Sequence, residues 1–280
     1  MAGMATRLRS LLARRGRLTV APFVFDGLQA KLAAAAGFEA VYMTGFGTAA
    51  ARGWPDVGLL GRAEMVENAR TIARAAGLPV ICDADTGYGS PLNVWHTVRE
   101  YEDAGAAALH LEDQVWPKRC GFLSGKQVIA LDDMLPKLRS ALAARRDPDF
   151  VVIARTDALA PLGWDEAIRR ARAYREAGAD LVFVDGIRSR DDLARYARAL
   201  PDVPLLYNGQ LPAREVEAAG FRLMLHIAPL LAVHARMRAV YEEIARTGEL
   251  AGGPGLEELE AMAKLLGLDE LDAIGRGEGS

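Results

Sequence analysis

Asp83 and Asp85, two residues apart, Glu112, and Arg155 each follow a short apolar run: Val80-Ile81-Cys82, Leu109-His110-Leu111 and Val151-Val152-Ile153-Ala154. Carboxylates gathered in one place repel one another unless a cation or a paired arginine is present. Hard oxygen donors with no companion cluster of His or Cys suit Mg²⁺, with Mn²⁺ as a substitute, better than zinc. Residues two apart on a strand lean the same way, so Asp83 and Asp85 are expected on one side, with Glu112 ending the adjacent strand. The alternative is that these acids pair with structural arginines. Arg155 offers a planar fork suited to a bidentate grip on a substrate carboxylate; its structural alternative is an ion pair with Asp157 or Asp185. Pro117-Lys118-Arg119-Cys120-Gly121 sets two cations beside a thiol. Adjacent positive charge lowers a thiol's pKa, so an exposed Cys120 thiolate with Lys118 beside it is a candidate acid or base, whereas Cys82 inside an apolar run is expected to be inert. Gly121 and Gly125 give that loop the freedom of a lid.

These residues must be positioned by repeated elements. Ala-rich helical stretches ending in Ala-Gly feed short aliphatic runs at Ala36-Gly37, Ala76-Gly77, Ala104-Gly105, Ala177-Gly178 and Ala219-Gly220. Glycine tolerates the left-handed backbone that closes a helix, so each pair reads as a stop before a strand. Strands are expected near 20–25, 40–44, 79–84, 107–112, 150–155, 181–185, 203–207 and 222–227. Eight continuous apolar runs alternating with helices predict a (β/α)8 TIM barrel over 1–246, followed by a linker and C-terminal helical extension over 247–280. Gly45-Phe46-Gly47-Thr48-Ala49-Ala50 matches G-x-G-x-x-A, but it follows the second strand, and Gly53 and Pro55 would interrupt the helix that must hold a pyrophosphate. A final helix near 256–272 carries Leu256, Leu259, Met262, Leu265 and Leu266 at helical spacing, an apolar stripe that packs on its own barrel or on a neighbouring subunit.

In a parallel barrel, catalytic groups gather at the C-terminal strand ends. Those ends carry Asp26, Tyr42 with Thr44-Gly45, Asp83 and Asp85, Glu112 and Asp113, Arg155 and Asp157, Asp185, Asn208 and His226. A 280-residue chain with 51% hydrophobic residues, a formal charge of −3 and a pI near 5.9 is neither disordered nor basic enough to bind nucleic acid broadly. No apolar run reaches the ~20 residues of a spanning helix, so no membrane partner is expected. Two cysteines give no disulfide framework and suit a reducing, cytoplasmic setting. The Arg-rich start, Arg7 to Arg17, reads as a short amphipathic helix, with an organelle transit peptide as the alternative.

Together these residues resemble the isocitrate lyase and phosphoenolpyruvate mutase superfamily over nearly the whole chain. The motifs are Val41-Tyr42-Met43-Thr44-Gly45, Pro55-Asp56, Asp83-Ala84-Asp85-Thr86-Gly87-Tyr88-Gly89, His110-Leu111-Glu112-Asp113-Gln114, Pro117-Lys118-Arg119-Cys120-Gly121 and Ile153-Ala154-Arg155-Thr156-Asp157. The resemblance implies that Asp56, Asp83, Asp85 and Glu112 hold Mg²⁺ directly or through water. It implies that amides around Thr44, Gly45 and Phe46, with Arg155, bind the 2-oxo acid portion of a substrate. Tyr42 would sit beside the reacting oxygen and Cys120 would protonate the departing carbanion. It also implies a homotetramer with the C-terminal helix exchanged between neighbours.

Departures narrow the reading. Phe122 stands where the lyase loop usually has histidine, Asp185 where a longer glutamate is common, and Asn208-Gly209-Gln210-Leu211-Pro212 lacks the usual substrate loop. Asp185 and Asn208 remain substrate-binding candidates, but a tricarboxylate is disfavoured against a smaller or less charged acid. The leading expectation is a Mg²⁺-dependent carbon–carbon lyase cleaving an alkylmalate- or methylisocitrate-like 2-hydroxy acid. His226 resembles the oxaloacetate decarboxylase branch, and its structural alternative is a satisfied wall residue. The same residues would also suit a phosphonomutase or, in a different class, a catalytically lapsed binding protein.

Overall fold

The computed structural model describes residues 3–278; residues 1–2 and 279–280, the outer ends of the two expected segments, lie outside the described residues. Eight strands, β1 (Thr19–Val24), β2 (Val41–Met43), β3 (Val80–Asp83), β4 (Ala108–Glu112), β5 (Val151–Thr156), β6 (Leu181–Val184), β7 (Leu205–Gly209) and β8 (Leu223–His226), pair in parallel in that order, and β8 closes on β1. The chain enters through α1 (Met4–Leu12). Helices α2 (Gly27–Ala35), α3 (Gly45–Ala50), α4 (Arg62–Ala76), α5 (Pro91–Asp103), α6 (Leu131–Ala144), α7 (Leu159–Leu162), α8 (Trp164–Glu176), α9 (Arg190–Ala199) and α10 (Ala213–Ala218) fill the crossovers. The chain ends in α11 (Ala228–Thr247), α12 (Glu257–Leu265) and α13 (Leu268–Gly275). The closed (β/α)8 barrel anticipated from the repeated phrase is therefore the fold. Gly77, left-handed at φ 60, closes α4 two residues before β3, as the Ala-Gly reading requires.

Strand periodicity sorts the side chains. Inward positions, including Ala21, Ile81, Ala108, Val151, Leu181, Leu206 and Leu223, form one buried cluster. Val80, Cys82, Leu109 and Val152 face outward onto α4, α5 and α6 in a second cluster, so Cys82 is sealed core and burial raises its thiol pKa. Leu8 and Leu11 of α1 join the interior cluster and close the barrel floor, which gives the Arg-rich start a structural role. Following the inward positions along each strand replaces aliphatics with polar groups at the far end: Ile81 gives way to Asp83, Ala108 to His110 and Glu112, Ile153 to Arg155, and Leu206 to Asn208. Register places Asp83 opposite His110 and Glu112 opposite Arg155.

One local expectation changes and another holds. The C-terminal stripe does not form one helix over 256–272, because Gly267, at φ 95, separates α12 from α13. Leu256, Leu259 and Met262 line a groove with Leu28 and Leu32 of α2, and all of them stay exposed, as do Leu271 and Tyr241. The glycine-rich segment after β2 forms only the six-residue α3 before Gly53 turns the chain. Among the described residues, no helix is long and apolar enough to cross a membrane.

Candidate active site

A cavity of about 430 Å³ opens at the C-terminal end of the barrel, lined by Tyr42, Thr44, Phe46, Asp56, Asp83, Cys120, Arg155, Asp185 and Asn208 among others. These residues singled out in the sequence thus line one cavity, whereas Gly45, Asp85, Glu112, Lys118 and His226 do not line it. The loop from Asp113 to Ile129 folds over it. Its base is a short antiparallel pairing, Gln114 against Val128, with Val115 N donating to Gln127 O at 2.9 Å.

Six carboxylates are buried at this rim, Asp56, Asp83, Asp85, Glu112, Asp157 and Asp185, against three buried cations, Lys118, Lys126 and Arg155. Fully ionised, the rim carries a surplus of three negative charges. Burial pushes Glu112 well above the usual carboxylate range despite Arg155, and pushes Asp85 up to about 6, with Asp83 and Asp56 adding to the rise and Lys118 opposing it. Burial also acts on Asp83, but the surrounding His110, Lys118 and Arg155 overcome it and hold that carboxyl low.

Asp85 reaches the cluster by a different route from the one its spacing suggested. β3 ends at Asp83, and Asp85 lies beyond it with a left-handed backbone, φ 47. Its N–H donates to Asp83 Oδ1 at 3.0 Å and its carbonyl accepts from Glu112 N at 2.9 Å, so the strained turn is tied on both sides. Asp26 is not part of the site: it caps α2, accepting from Gln29 N at 2.8 Å.

The donor chemistry fits a hard divalent cation. Asp85 Oδ1 and Glu112 Oε2 are buried oxygens that meet only cations, Lys118 Nζ at 2.7 Å and Arg155 Nη1 at 3.0 Å. Among the described residues, however, no three His, Cys, Asp or Glu side chains are set to ligate one ion directly, and the Lys118 ammonium bridges Asp56 and Asp85. A set of this kind suits Mg²⁺, which keeps much of its water.

Three catalytic expectations are corrected. Cys120 is not an exposed thiolate: it is 7% exposed, and burial, with the Asp56 charge, pushes its thiol up to about 12. Lys118 opposes that rise only weakly, and Arg119 points its charge outward from an exposed position. Lys118 itself does not line the cavity; burial would lower its pKa, but Asp85, Asp83 and Asp56 hold it well above the usual lysine range. His226 does not line the cavity either, since its half-buried ring turns back so that Nδ1 accepts from Ala228 N at 3.3 Å.

Tyr42 and Arg155 do face the cavity. The Tyr42 hydroxyl donates to Asp83 Oδ2 at 3.3 Å and lies 2.8 Å from His110 Nε2. Burial takes His110 down to about 4, so the ring is neutral; with the tyrosine proton directed at Asp83, Nε2–H is the donor and Nδ1 is left without a partner. Arg155 pairs with Asp157 at 2.9 Å and Glu112 at 3.0 Å and lies over the Phe183 ring at 5.1 Å, so the ion-pair reading and the cavity-facing reading both hold geometrically. The Thr44 amide is spent on Val24 O and the Gly45 amide on Asp83 Oδ2, each at 3.2 Å, which removes two of the three amides expected to meet substrate. Asn208 Oδ1 is buried, lines the cavity and has no partner.

Lys126 and His110 were not among the candidates. His110 sits in a motif already noted, and its inward strand position, two before Glu112, is the signal that could have found it. Lys126 follows the loop glycine by one residue and gave no signal beyond its charge.

The family profile for phosphoenolpyruvate phosphomutase matches residues 8–245. A 2,3-dimethylmalate lyase from Eubacterium barkeri is 41% identical over 245 residues, covering 85% of this chain and 84% of that protein. An oxaloacetate acetylhydrolase, solved with 3,3-difluorooxalacetate, superposes with a TM-score of 0.93 at 40% identity, covering 99% of this chain and 98% of the other. A phosphonopyruvate hydrolase solved with oxalate and Mg²⁺ gives a TM-score of 0.88 at 33% identity, with 98% of each chain covered.

Proposed function

The chain belongs to the phosphoenolpyruvate phosphomutase family, and we propose that within it this enzyme is a Mg²⁺-dependent carbon–carbon lyase that cleaves a small alkylmalate-like 2-hydroxy acid to a 2-oxo acid and a carboxylic acid. The observation that carries the reading is the single cavity lined by the Cys120 thiol, the Arg155 guanidinium and the carboxylates of Asp56, Asp83 and Asp185. Similarity to the 2,3-dimethylmalate lyase supports it.

Arg155 binds the carboxylate of the substrate's oxo-acid half, and Asn208, whose buried Oδ1 has no partner within the chain, adds a polar contact. A divalent cation held by Asp56, Asp83, Asp85 and Glu112, directly or through water, would supply Lewis-acid polarisation of the substrate's 2-oxygen. The 2-hydroxyl passes its proton to the Tyr42 oxygen as Tyr42 gives its own to Asp83 Oδ2, 3.3 Å away, the carbon–carbon bond breaks, and the 2-oxo group forms. The bonding pair stays on the departing carboxylic acid, whose carbon takes a proton from Cys120 Sγ. A thiol held near 12 is protonated at neutral pH and so is charged with the proton it must give. The far wall, Phe122, Ile187, Ile227, Leu230 and Leu231 with only Arg188 cationic, suits an alkyl substituent better than a third carboxylate. The exposed stripe of α11 to α13 would be the surface of a homotetramer with exchanged C-terminal helices.

Alkylmalates, methylisocitrate and oxaloacetate incubated with enzyme and Mg²⁺, with products read by mass spectrometry, test the reaction. Cys120→Ser should abolish cleavage of the turned-over acid while leaving Mg²⁺ binding intact. Undiminished turnover would remove the thiol from the mechanism, and turnover of oxaloacetate alone would replace the substrate class.

A further inference from the structure

We propose that Lys126 is a positioning residue for this site: it clasps the 113–129 loop shut over the cavity and leaves Arg155 with charge to spare for an incoming carboxylate. The first half stands on geometry alone; the second rests on Arg155 being the group that binds the substrate carboxylate.

The three ammonium protons of Lys126 meet three acceptors: Gly121 O at 2.9 Å, Asp157 Oδ1 at 2.8 Å and Asp185 Oδ2 at 2.8 Å. The first acceptor belongs to the loop tip; Asp157 and Asp185 stand just past the ends of β5 and β6. One buried nitrogen, with a side chain 2% exposed, therefore fastens a glycine-bearing turn to two neighbouring strand ends. The antiparallel pairing at 114 and 128 closes only the base of the loop. The tip is tied elsewhere by Cys120 N donating to Asp56 O at 3.0 Å, by Lys118 reaching Asp56, and by a long, exposed bond from Arg188 Nη2 to Phe122 O at 3.5 Å. Cys120 lies between the Asp56 and Lys126 anchors, and it is buried only because the tip is seated.

The same ammonium alters what Arg155 can do. Glu112, Asp157 and Asp185 all bear on that guanidinium, at 3.0, 2.9 and 3.7 Å. One arginine facing three acids has little attraction left for a substrate carboxylate. Lys126 takes up part of two of them, so the local balance moves by one positive charge at the place where an anion would dock. Three acceptors converging on a single nitrogen suit a compact ammonium rather than a planar fork.

Lys126→Met keeps the stem and removes the charge. Iodoacetamide alkylation of Cys120, followed by intact mass, reads loop seating without substrate or metal; Cys82, fully buried, should stay silent. The variant should be alkylated at least about tenfold faster than the parent, the scale of losing hydrogen bonds to a charged group. Calorimetric affinity for oxalate in the presence of Mg²⁺ should fall by about tenfold as well, and in turnover the loss should fall mainly on KM. Lys126→Arg, which keeps the charge but not the three-way geometry, should hold oxalate affinity close to that of the parent while leaving alkylation fast. An unchanged alkylation rate in folded Lys126→Met overturns the clasp; an unchanged oxalate affinity overturns the charge argument. If Lys126→Met does not fold, Asp185→Ala, which removes one of the two acceptors that hold the ammonium on the barrel side, must show the faster alkylation or the clasp is refuted. Failure of the parent to cleave any acid or bind oxalate would count against the lyase reading and leave the alkylation result standing.

Discussion

Gly121 packs directly against Asp185 and Arg155, and adding one methyl group there asks whether the seated loop is the working one. A Cβ on Gly121 would fall 2.3 Å from Asp185 Oδ2, 2.7 Å from Asp185 Cγ and 2.6 Å from Arg155 Nη2. Ordinary carbon contacts settle near ~3.5 Å, so the tip must rise by about an ångström or the neighbours must move. Neither neighbour is free: Lys126 holds Asp185 at 2.8 Å, and Asp157 and Glu112 hold Arg155. Overpacking of a fixed site costs about 1–3 kcal/mol, which corresponds to roughly 5- to 150-fold in the population of the seated loop. Gly121→Ala should therefore lower kcat/KM by a factor in that range, measured with whichever 2-hydroxy acid the parent cleaves best. Its melting temperature should stay close to that of the parent, because the loop opens locally without unfolding the barrel. A kcat/KM within about twofold of the parent would mean that turnover does not pass through the loop position seen here, and would remove the steric basis for treating residues 113–129 as a lid.

Two further outcomes follow from the buried charges. Burial raises Asp85 to about 6 from an unfolded value near ~3.9. A carboxyl raised in the folded state keeps its proton more tightly there, so its contribution favours the fold below the unfolded value and is lost as pH rises through about 6. Cation binding runs the other way, since it needs the carboxylate: Mg²⁺ affinity by calorimetry should be weaker at pH 5 than at pH 7.5 by roughly tenfold, with proton release visible as a buffer-dependent heat, and equal affinities would exclude Asp85 from the metal set. Asp113 accepts from Thr156 Oγ1 at 2.7 Å, Asp157 N at 2.9 Å, Arg170 Nη1 at 2.9 Å and Tyr174 OH at 2.7 Å. Asp113→Ala leaves the Arg170 charge buried with only Glu166, a change of about 3–5 kcal/mol, and scanning calorimetry should show melting lowered by roughly 6–20 °C; a drop under about 3 °C would show that this network carries little of the fold.

The barrel was legible because its signals are local and repeated. Ala-Gly stops and apolar runs depend on backbone sterics and burial, which a single sequence displays at each of the strands it feeds, and the eight expected strands fall within about two residues of those observed. Inward and outward side chains follow from period two, which is why Tyr42, Asp83, Glu112, Arg155 and Asn208 could be placed at one rim. Asp85 had the right neighbour for the wrong reason, because the strand ends at Asp83 and a left-handed turn supplies the approach. Cys120 shows the limit more sharply. Two adjacent cations in sequence suggested a lowered pKa, yet burial and the choice of partners in space decide it, and Lys118 spends its charge on Asp56 and Asp85. His226 fails for a related reason: at the last strand end the next turn of chain offers its amide to the ring. Lys126 had no periodic signal because a loop residue gains its role only from what the loop lands on.

The source of each rim cation gives these separate observations a common basis. Of the six buried carboxylates, five sit on or just past strand ends, and of the three buried cations only Arg155 belongs to a strand. Lys118 and Lys126 both arrive with the loop. With the loop lifted, the barrel would present its acids against a single arginine, an arrangement that draws a divalent cation from solvent. With the loop seated, two ammonium groups enter together, one beside Asp56 and Asp85 and one beside Asp157 and Asp185. If the loop acts as a lid, its closure and the balancing of the rim would be one event, and the same event would bury the Cys120 thiol and keep it protonated. Acid donation to a carbanion needs that proton retained at the moment of cleavage, so burial that contradicts a reactive exposed thiolate is compatible with a proton-donating thiol.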